Sequence, residues 1–430
     1  MKVIFKNARF IDPERKLDET GDLLVEEGVI RRIGGTTTEE DANGADVIDR
    51  EGLIVAPGFF DMHVHLREPG REDAETVQSG LAAAANGGFT GVAYMPNTEP
   101  AIDSAEAIAL VKEKARGSLT EAFPIAAVSV GRKGEALSPM AELVEAGAVA
   151  FSDDGAAVAS SALLRRALEY SNMFGVPIVE HCEDPDLAGG AMNEGYFSTI
   201  YGLPGVPTVA EDVIVARGVL LAEFTGGAFH VAHVSSKRSI ELVRDAKARG
   251  IRVTAEITPH HFTLVDEDVK TYDTNYKMNP PLRSREDLEA ALEGLKDATI
   301  DAIASDHAPH APEDKEREFI YAPNGVLGLE TAVPLALSEL VGKKVLSIET
   351  TIEKFALGPR RILNLPIPKI AEGEPANLTV IDPAEVWTYD AAKSKSKSRN
   401  TPFDKRLFTG KPVAAMNQGK LWRDGEMKTL

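Results

Sequence analysis

The sequence holds a single cysteine, Cys182, among its 430 residues. One thiol cannot close an intramolecular disulfide, so the fold must rest on packing and suits a reducing compartment. Long apolar runs are missing too: no stretch nears the roughly 20 residues that cross a bilayer. The opening stretch, MKVIFKNARFIDPERK, lacks an apolar core followed by a small-residue cleavage site, so the expected location is cytoplasmic. Positive charge is in short supply, with 47 Lys and Arg against 67 Asp and Glu and a net charge of −20. Such a chain repels phosphate backbones and anionic lipid, which argues against nucleic acid or membrane partners and for a small-molecule substrate. The one basic run, Lys393-Ser-Lys-Ser-Lys-Ser-Arg399, reads as a solvated loop, with a contact to an acidic partner as the alternative.

The remaining composition, 43% hydrophobic and 27% charged, is that of a globular protein too long for one small core. Residues 1–56 read as short Val- and Ile-rich strands broken by Gly, Asp and Asn, and the tail from about 370 reads the same way. The middle alternates short apolar runs with helical spacing. Candidate strands are 91–95, 123–130, 148–152, 176–180, 228–234, 251–257 and 301–305, and IVAPGFFDM (54–62) makes eight. Segments such as SAEAIALVKEKARG and SIELVRDAKARG lie between them, each closing on Gly. The expected fold class is α/β: a (β/α)8 TIM-type barrel over 57–365, with a small β-sandwich domain formed from both termini, 1–56 plus 366–430.

Polar candidates fall just after these strands, which in a barrel is the catalytic face. Strand one leads into Asp61-Met-His63-Val-His65-Leu-Arg67, where two imidazoles two residues apart can reach one metal from an extended segment. Later strands end in Ser152-Asp153-Asp154-Gly155, Glu180-His181-Cys182, His230-Val-Ala-His233 and Ser305-Asp306-His307. Histidines and carboxylates at so many strand ends provide the donor set that two divalent ions sharing a carboxylate require.

HVHLREPG at 63–70, the DDG after strand four, EHCED at 180–184, TPHHF at 258–262, NPPLR at 279–283 and DHAPH at 306–310 together resemble the dihydroorotases of the long bacterial and archaeal type, in the amidohydrolase superfamily. The resemblance covers nearly the whole chain. It implies reversible, zinc-dependent cyclisation of N-carbamoyl-L-aspartate to (S)-dihydroorotate in pyrimidine biosynthesis. It also implies two zinc ions, one on His63, His65 and Asp306 and the other on His181 and His233, bridged by Asp154 and a hydroxide. That hydroxide would attack the ring amide, and Asp306 would carry its proton to the leaving nitrogen as the catalytic residue. Arg67 can grip a ring carboxylate with paired charge-assisted hydrogen bonds. His65, Asn97 and His310 match further substrate contacts, and Asn279, Asn324 and Gly325 match positions around the ring amide. A homodimer and an association with aspartate transcarbamoylase are further expectations of the resemblance.

Related hydantoinases and allantoinases use a carboxylated lysine as bridge, but no lysine occurs between Lys133 and Lys237. That absence, with Arg67, Asn97 and His310, argues against the rival reading, hydantoinase- or allantoinase-like activity; a non-catalytic scaffold for a transcarbamoylase is the second rival. Other residues are expected in supporting roles. His260, His261 and His307 read as structural or as neighbours of the ligands, His230 as packing on the opposite strand face, and Cys182 as a small buried residue. Asp61 reads as a partner for a histidine ligand or as a turn cap. The charged stretch His310–Glu318 reads equally as a mobile lid or as a solvated loop.

Overall fold

In the computed structural model, which describes residues 2–430, the apolar runs of the middle pair side by side as eight parallel strands in sequence order. They are Phe59–Val64, Phe89–Tyr94, Glu121–Ala127, Ala150–Ser152, Ile178–Glu180, Phe229–Val231, Val253–Ile257 and Ala302–Ile303. The last meets the first through a bridge between Val64 and His307, with His65 N donating to His307 O at 2.9 Å. Asp61 closes the same seam: its carboxylate accepts from Ser305 N at 3.0 and 3.1 Å. It is therefore a stitch between the first and last strands, and its Oδ1 also accepts from His63 N at 3.2 Å, a turn contact to the backbone of a candidate ligand. Burial lifts its carboxyl to about 6.

Strand alternation sorts the side chains. Phe60, Met62, Ile125, Val179, Ala232, Ala302 and Ala304 form one buried cluster, whereas Phe229, Val231, Val253 and Ile257 pack with the surrounding helices. Several helices start on hydroxyl caps, as at Ser104 before Ala105–Ala115 and Ser236 before Lys237–Ala248. The second buries Ile240, Val243 and Ala246, three residues apart, against the barrel.

The first expected strand, 54–62, is two strands. Ile54–Pro57 pairs with Lys2–Asp12 and Leu378–Thr388 in a different sheet, and only Phe59–Val64 enters the barrel. Gly58 makes the break: a Cβ there would lie 1.9 Å from Asn377 Oδ1 and 2.3 Å from Thr90 Oγ1. Only glycine lets the chain pass between sheets at that distance.

The second sheet has nine strands drawn from both ends of the chain. Its core contains Val3, Phe5, Phe10, Leu23 and Val25 together with Leu378, Val380 and Met416. Thr379 Oγ1 accepts from Phe59 N at 2.9 Å and donates to Gly88 O at 2.7 Å, fastening this sheet to the barrel. Among the described residues, no helix is long and apolar enough to cross a membrane.

Candidate metal and substrate site

Where the barrel strands end, His63, His65, Asp154, His181, His233 and Asp306 converge, all buried. His63 Nε2 lies 3.4 Å from Asp154 Oδ1 and 3.5 Å from Asp306 Oδ1, while His65 Nε2 lies 3.0 Å from Asp306 Oδ1 and 3.6 Å from Asp154 Oδ2. Four ligands held tetrahedrally at about 2.0–2.1 Å from one ion stand about 3.4 Å from one another. Most of these separations match that edge and are long for hydrogen bonds. His181 Nδ1 and His233 Nε2 each lie 3.8 Å from Asp154 Oδ1 and 2.9 Å from one another. Two overlapping groups could hold a cation: His63, Asp154 and His233, and His63, His65 and Asp306.

Buried polar atoms normally have partners. Here His63 Nε2, Asp154 Oδ1 and His233 Nδ1 have none, and the first two face one another across the site. The donor set and its unpartnered atoms fit a divalent metal. Burial opposes charge throughout; it wins at His65, but Asp154 and Asp306 raise His63 well above its usual range, and His63 holds both carboxyls well below theirs. His233 and Asp306 adopt left-handed φ angles of 34° and 46°, and Arg67 one of 60°. Such strain in residues other than glycine concentrates at functional sites.

Two of the ligand candidates, His65 and His63, are oriented by neighbours. Asn97 Oδ1 lies 2.8 Å from His65 Nδ1 and accepts its proton, turning Nε2 towards the carboxylates. His63 Nδ1 lies 2.7 Å from Glu256 Oε1, and Glu256 Oε2 lies 3.4 Å from His230 Nε2. His230 is thus turned inward, because its strand neighbours Phe229 and Val231 face the helices; the expected packing on the opposite face does not occur. Burial would raise the Glu256 carboxyl, but the imidazoles of His230 and His63 beside it hold it at about 2. Nothing local in VTAEI marks Glu256, apart from a carboxylate at an inward position of a barrel strand.

The aspartate pair divides its work. Asp153 turns away to accept from Ser129 N at 3.0 Å and from its hydroxyl, leaving Asp154 to face the histidines. His307 lies 3.3 Å from Glu75, and its Nδ1 accepts from Gly328 N at 3.2 Å. His261 lies 2.6 Å from Thr258 Oγ1 and donates to Pro280 O at 3.0 Å. His260 Nε2 is buried without a partner, and burial lowers its pKa to about 4. Cys182 is buried, with Sγ 3.5 Å from Glu180 O.

At the rim, Arg67 Nε donates to Pro309 O at 3.0 Å, its only side-chain hydrogen bond among the described residues. Burial brings its pKa down to about 10, so it remains a cation with donors to spare. His310 donates from Nε2 to Asn324 O at 2.7 Å, and burial, then Arg67 and Lys315, push it down to about 3, so it is neutral. Asn279 lies beside the site with its amide nitrogen 2.9 Å from Glu183 Oε2 and 3.2 Å from His181 Nε2. Gly325 N donates to Lys277 O at 2.9 Å, and its carbonyl accepts from Lys315 and Asn400, so its polar groups are engaged within the protein.

Two polar segments carry buried anchors. In His310–Glu318, Lys315 is buried and donates to Pro323 O at 2.9 Å and Gly325 O at 3.1 Å, which pins the short helix Pro312–Lys315. The stretch is anchored at Lys315, while Pro312, Glu313, Glu316, Arg317 and Glu318 are exposed. The basic run 393–399 is not simply solvated either: its lysines face out, but Ser396 and Ser398 are 2% and 1% exposed. Its strict alternation of Lys with Ser was the available signal, since a period of two marks an extended segment with one side covered.

Against known proteins, residues 52–239 match the family model for dihydro-orotase-like proteins. A protein of Syntrophus aciditrophicus named dihydroorotase is 49% identical over 426 residues, 98% of this chain and 99% of its own. Another of that name from Geotalea daltonii is 50% identical over 424 residues, again 98% and 99% of the two chains. The chain belongs to the dihydroorotase family. Outside the dihydroorotases, it superposes on an L-hydantoinase (dihydropyrimidinase) from Arthrobacter aurescens with a TM-score of 0.87 at 26% identity, covering 100% of this chain and 97% of that one. A dihydropyrimidinase from Brevibacillus agri shares the fold, with a TM-score of 0.84 at 23% identity, over 100% and 96% of the two chains.

Proposed function

We propose that this cyclic amide hydrolase interconverts N-carbamoyl-L-aspartate and (S)-dihydroorotate in pyrimidine biosynthesis. The observation that carries the reading is Arg67, a guanidinium at the rim with no carboxylate among its hydrogen-bond partners, beside Asn97 and the neutral His310. Such a recess suits an anionic ring substituent, which dihydroorotate carries and dihydrouracil and hydantoin lack.

Two zinc ions are proposed, one held by His63, His65 and Asp306, the other by His181 and His233, with Asp154 between. Zinc there would polarise the ring amide carbonyl and provide a nucleophile from water near neutral pH. The protein's own groups do the rest. Arg67 offers its Nη groups, and Asn97 its Nδ2, to the carboxylate, fixing which face of the ring meets Asp154 and Asp306. In ring opening the oxygen of water bonds to the amide carbon and the C–N bond breaks. Asp306, kept ionised by His63 and His65, accepts the proton of that water and returns it to the departing nitrogen. Ring closure retraces these steps.

The test is ring opening of dihydroorotate beside dihydrouracil and hydantoin, using protein of assayed zinc content. Turnover of dihydroorotate with little of the uncharged rings is expected. Preference for the uncharged rings would overturn the carboxylate reading, and absence of turnover with zinc bound would favour the scaffold role.

A further inference from the structure

Between strands Leu378–Thr388 and Leu407–Asn417 of the terminal sheet, the chain crosses to the barrel's rim as a strap. Lys393, Lys395, Lys397 and Arg399 face outward, while Ser396, Ser398, Asn400 and Thr401 are buried. Several anchors hold the strap before it reaches the site: Lys395 N donates to Glu330 Oε1 at 3.0 Å, Ser396 Oγ to Glu75 Oε2, Lys397 N to Glu75 Oε1 at 3.0 Å, and Ser398 Oγ to Ala74 O at 2.7 Å.

At Asn400 the strap meets both rim loops. Oδ1 accepts from His310 N at 3.0 Å, and Nδ2 donates to Ala308 O and to Gly325 O, each at 3.0 Å. The Asn400 carbonyl also accepts from Leu327 N at 2.9 Å. One side chain thus uses both of its polar atoms to join Ala308–His310 to Asn324–Gly325. The two bonds on the first loop bracket Pro309, whose carbonyl holds Arg67 Nε. Arg67 and His310 are therefore both positioned relative to Asn400.

We propose that Asn400 is a positioning residue that sets specificity for the anionic ring: it fixes the spacing of the two rim loops and so the recess formed by Arg67 and His310. This inference rests on the carboxylate reading above. An asparagine suits the task because it accepts from one backbone N–H and donates to two carbonyls at once. Aspartate can accept but cannot donate, and would set its charge against Ala308 O and Gly325 O.

The experiment measures steady-state kinetics of Asn400→Ala, Asn400→Asp and Ser398→Ala with dihydroorotate and dihydrouracil, each protein with its metal content assayed. Asn400→Ala is expected to raise KM for dihydroorotate about tenfold, with a smaller change in kcat, unchanged metal content and a narrowed preference over dihydrouracil. Asn400→Asp should be at least as impaired. Ser398→Ala loses a bond on the same strap and should behave as wild type. If Asn400→Ala does not fold, Asn400→Ser carries the same expectation. A wild-type KM and preference in the alanine or serine variant overturns the proposal. So does a KM shift in Ser398→Ala equal to that of Asn400→Ala, which would assign the effect to the strap as a whole. A wild-type enzyme without preference for dihydroorotate would instead overturn the carboxylate reading, and this inference with it.

Discussion

Exchanging Glu256 for glutamine keeps the side chain's shape and removes only its charge. The carboxylate is 0% exposed inside the barrel, 2.7 Å from His63 Nδ1 and 3.4 Å from His230 Nε2. Glutamine can still accept from His63 through its oxygen and donate to His230 through its nitrogen. Hydrogen bonds to charged groups contribute about 1.5–3 kcal/mol and neutral ones about 0.5–1.5, so the exchange weakens the hold on His63 by about 1–1.5 kcal/mol. That corresponds to about a tenfold loss of affinity for a metal bound through His63 Nε2, the low end of what partners of ligating histidines contribute. Glu256→Ala goes further, leaving His63 Nδ1 without its acceptor in the interior at about 3 kcal/mol or more. Competition with a chelator of known affinity reads the first effect, and unfolding of the metal-free proteins reads the second. Glu256→Gln is expected to lose metal more readily while unfolding close to wild type. Metal held as tightly as in wild type by both variants would refute the reasoning, since packing alone would then orient His63.

Other perturbations test the rim and the chemistry. Asp306→Asn should abolish turnover while metal remains measurable in the protein; wild-type activity would remove Asp306 from proton transfer. Gly325 has φ +136°, and a Cβ there would lie 2.7 Å from Ala308 Cβ and 2.9 Å from His310 Nε2. Gly325→Ala should therefore cost about 2–4 kcal/mol in strain and overpacking, seen as a lowered Tm and a raised KM for dihydroorotate. Burial, then Lys277, brings Lys315 down to about 7. It is charged below that pH and neutral above it, so KM for the anionic ring should rise as pH increases through 7. Lys315→Met should flatten that rise in a KM profile from pH 6 to 9, and an unchanged profile would exclude Lys315 as its source.

How much was legible follows from the range over which each signal acts. Hydrophobic period and flanking glycines report on a few neighbouring residues, and these were enough to mark the eight barrel strands and to put His63, His181, His233 and Asp306 at strand ends. Local pattern could not divide 54–62 at Gly58, because the reason is Asn377 and Thr90, brought against that glycine by another sheet. It could not see Glu256 either, whose partner His63 is 193 residues away.

By itself the sequence determined the order of strands and helices, the family, and which residue types stand at the open face of the barrel, since each depends on spacing along the chain. Tertiary structure decided which way each polar group turns. Asp154 faces the histidines because Ser129 captures Asp153, and His230 looks inward because barrel closure assigns its face. Asn400 ties the rim loops because the terminal sheet carries the strap across. Hydrogen bonds are short and directional, so these partners follow from the register and closure of the sheets, and no local pattern encodes them.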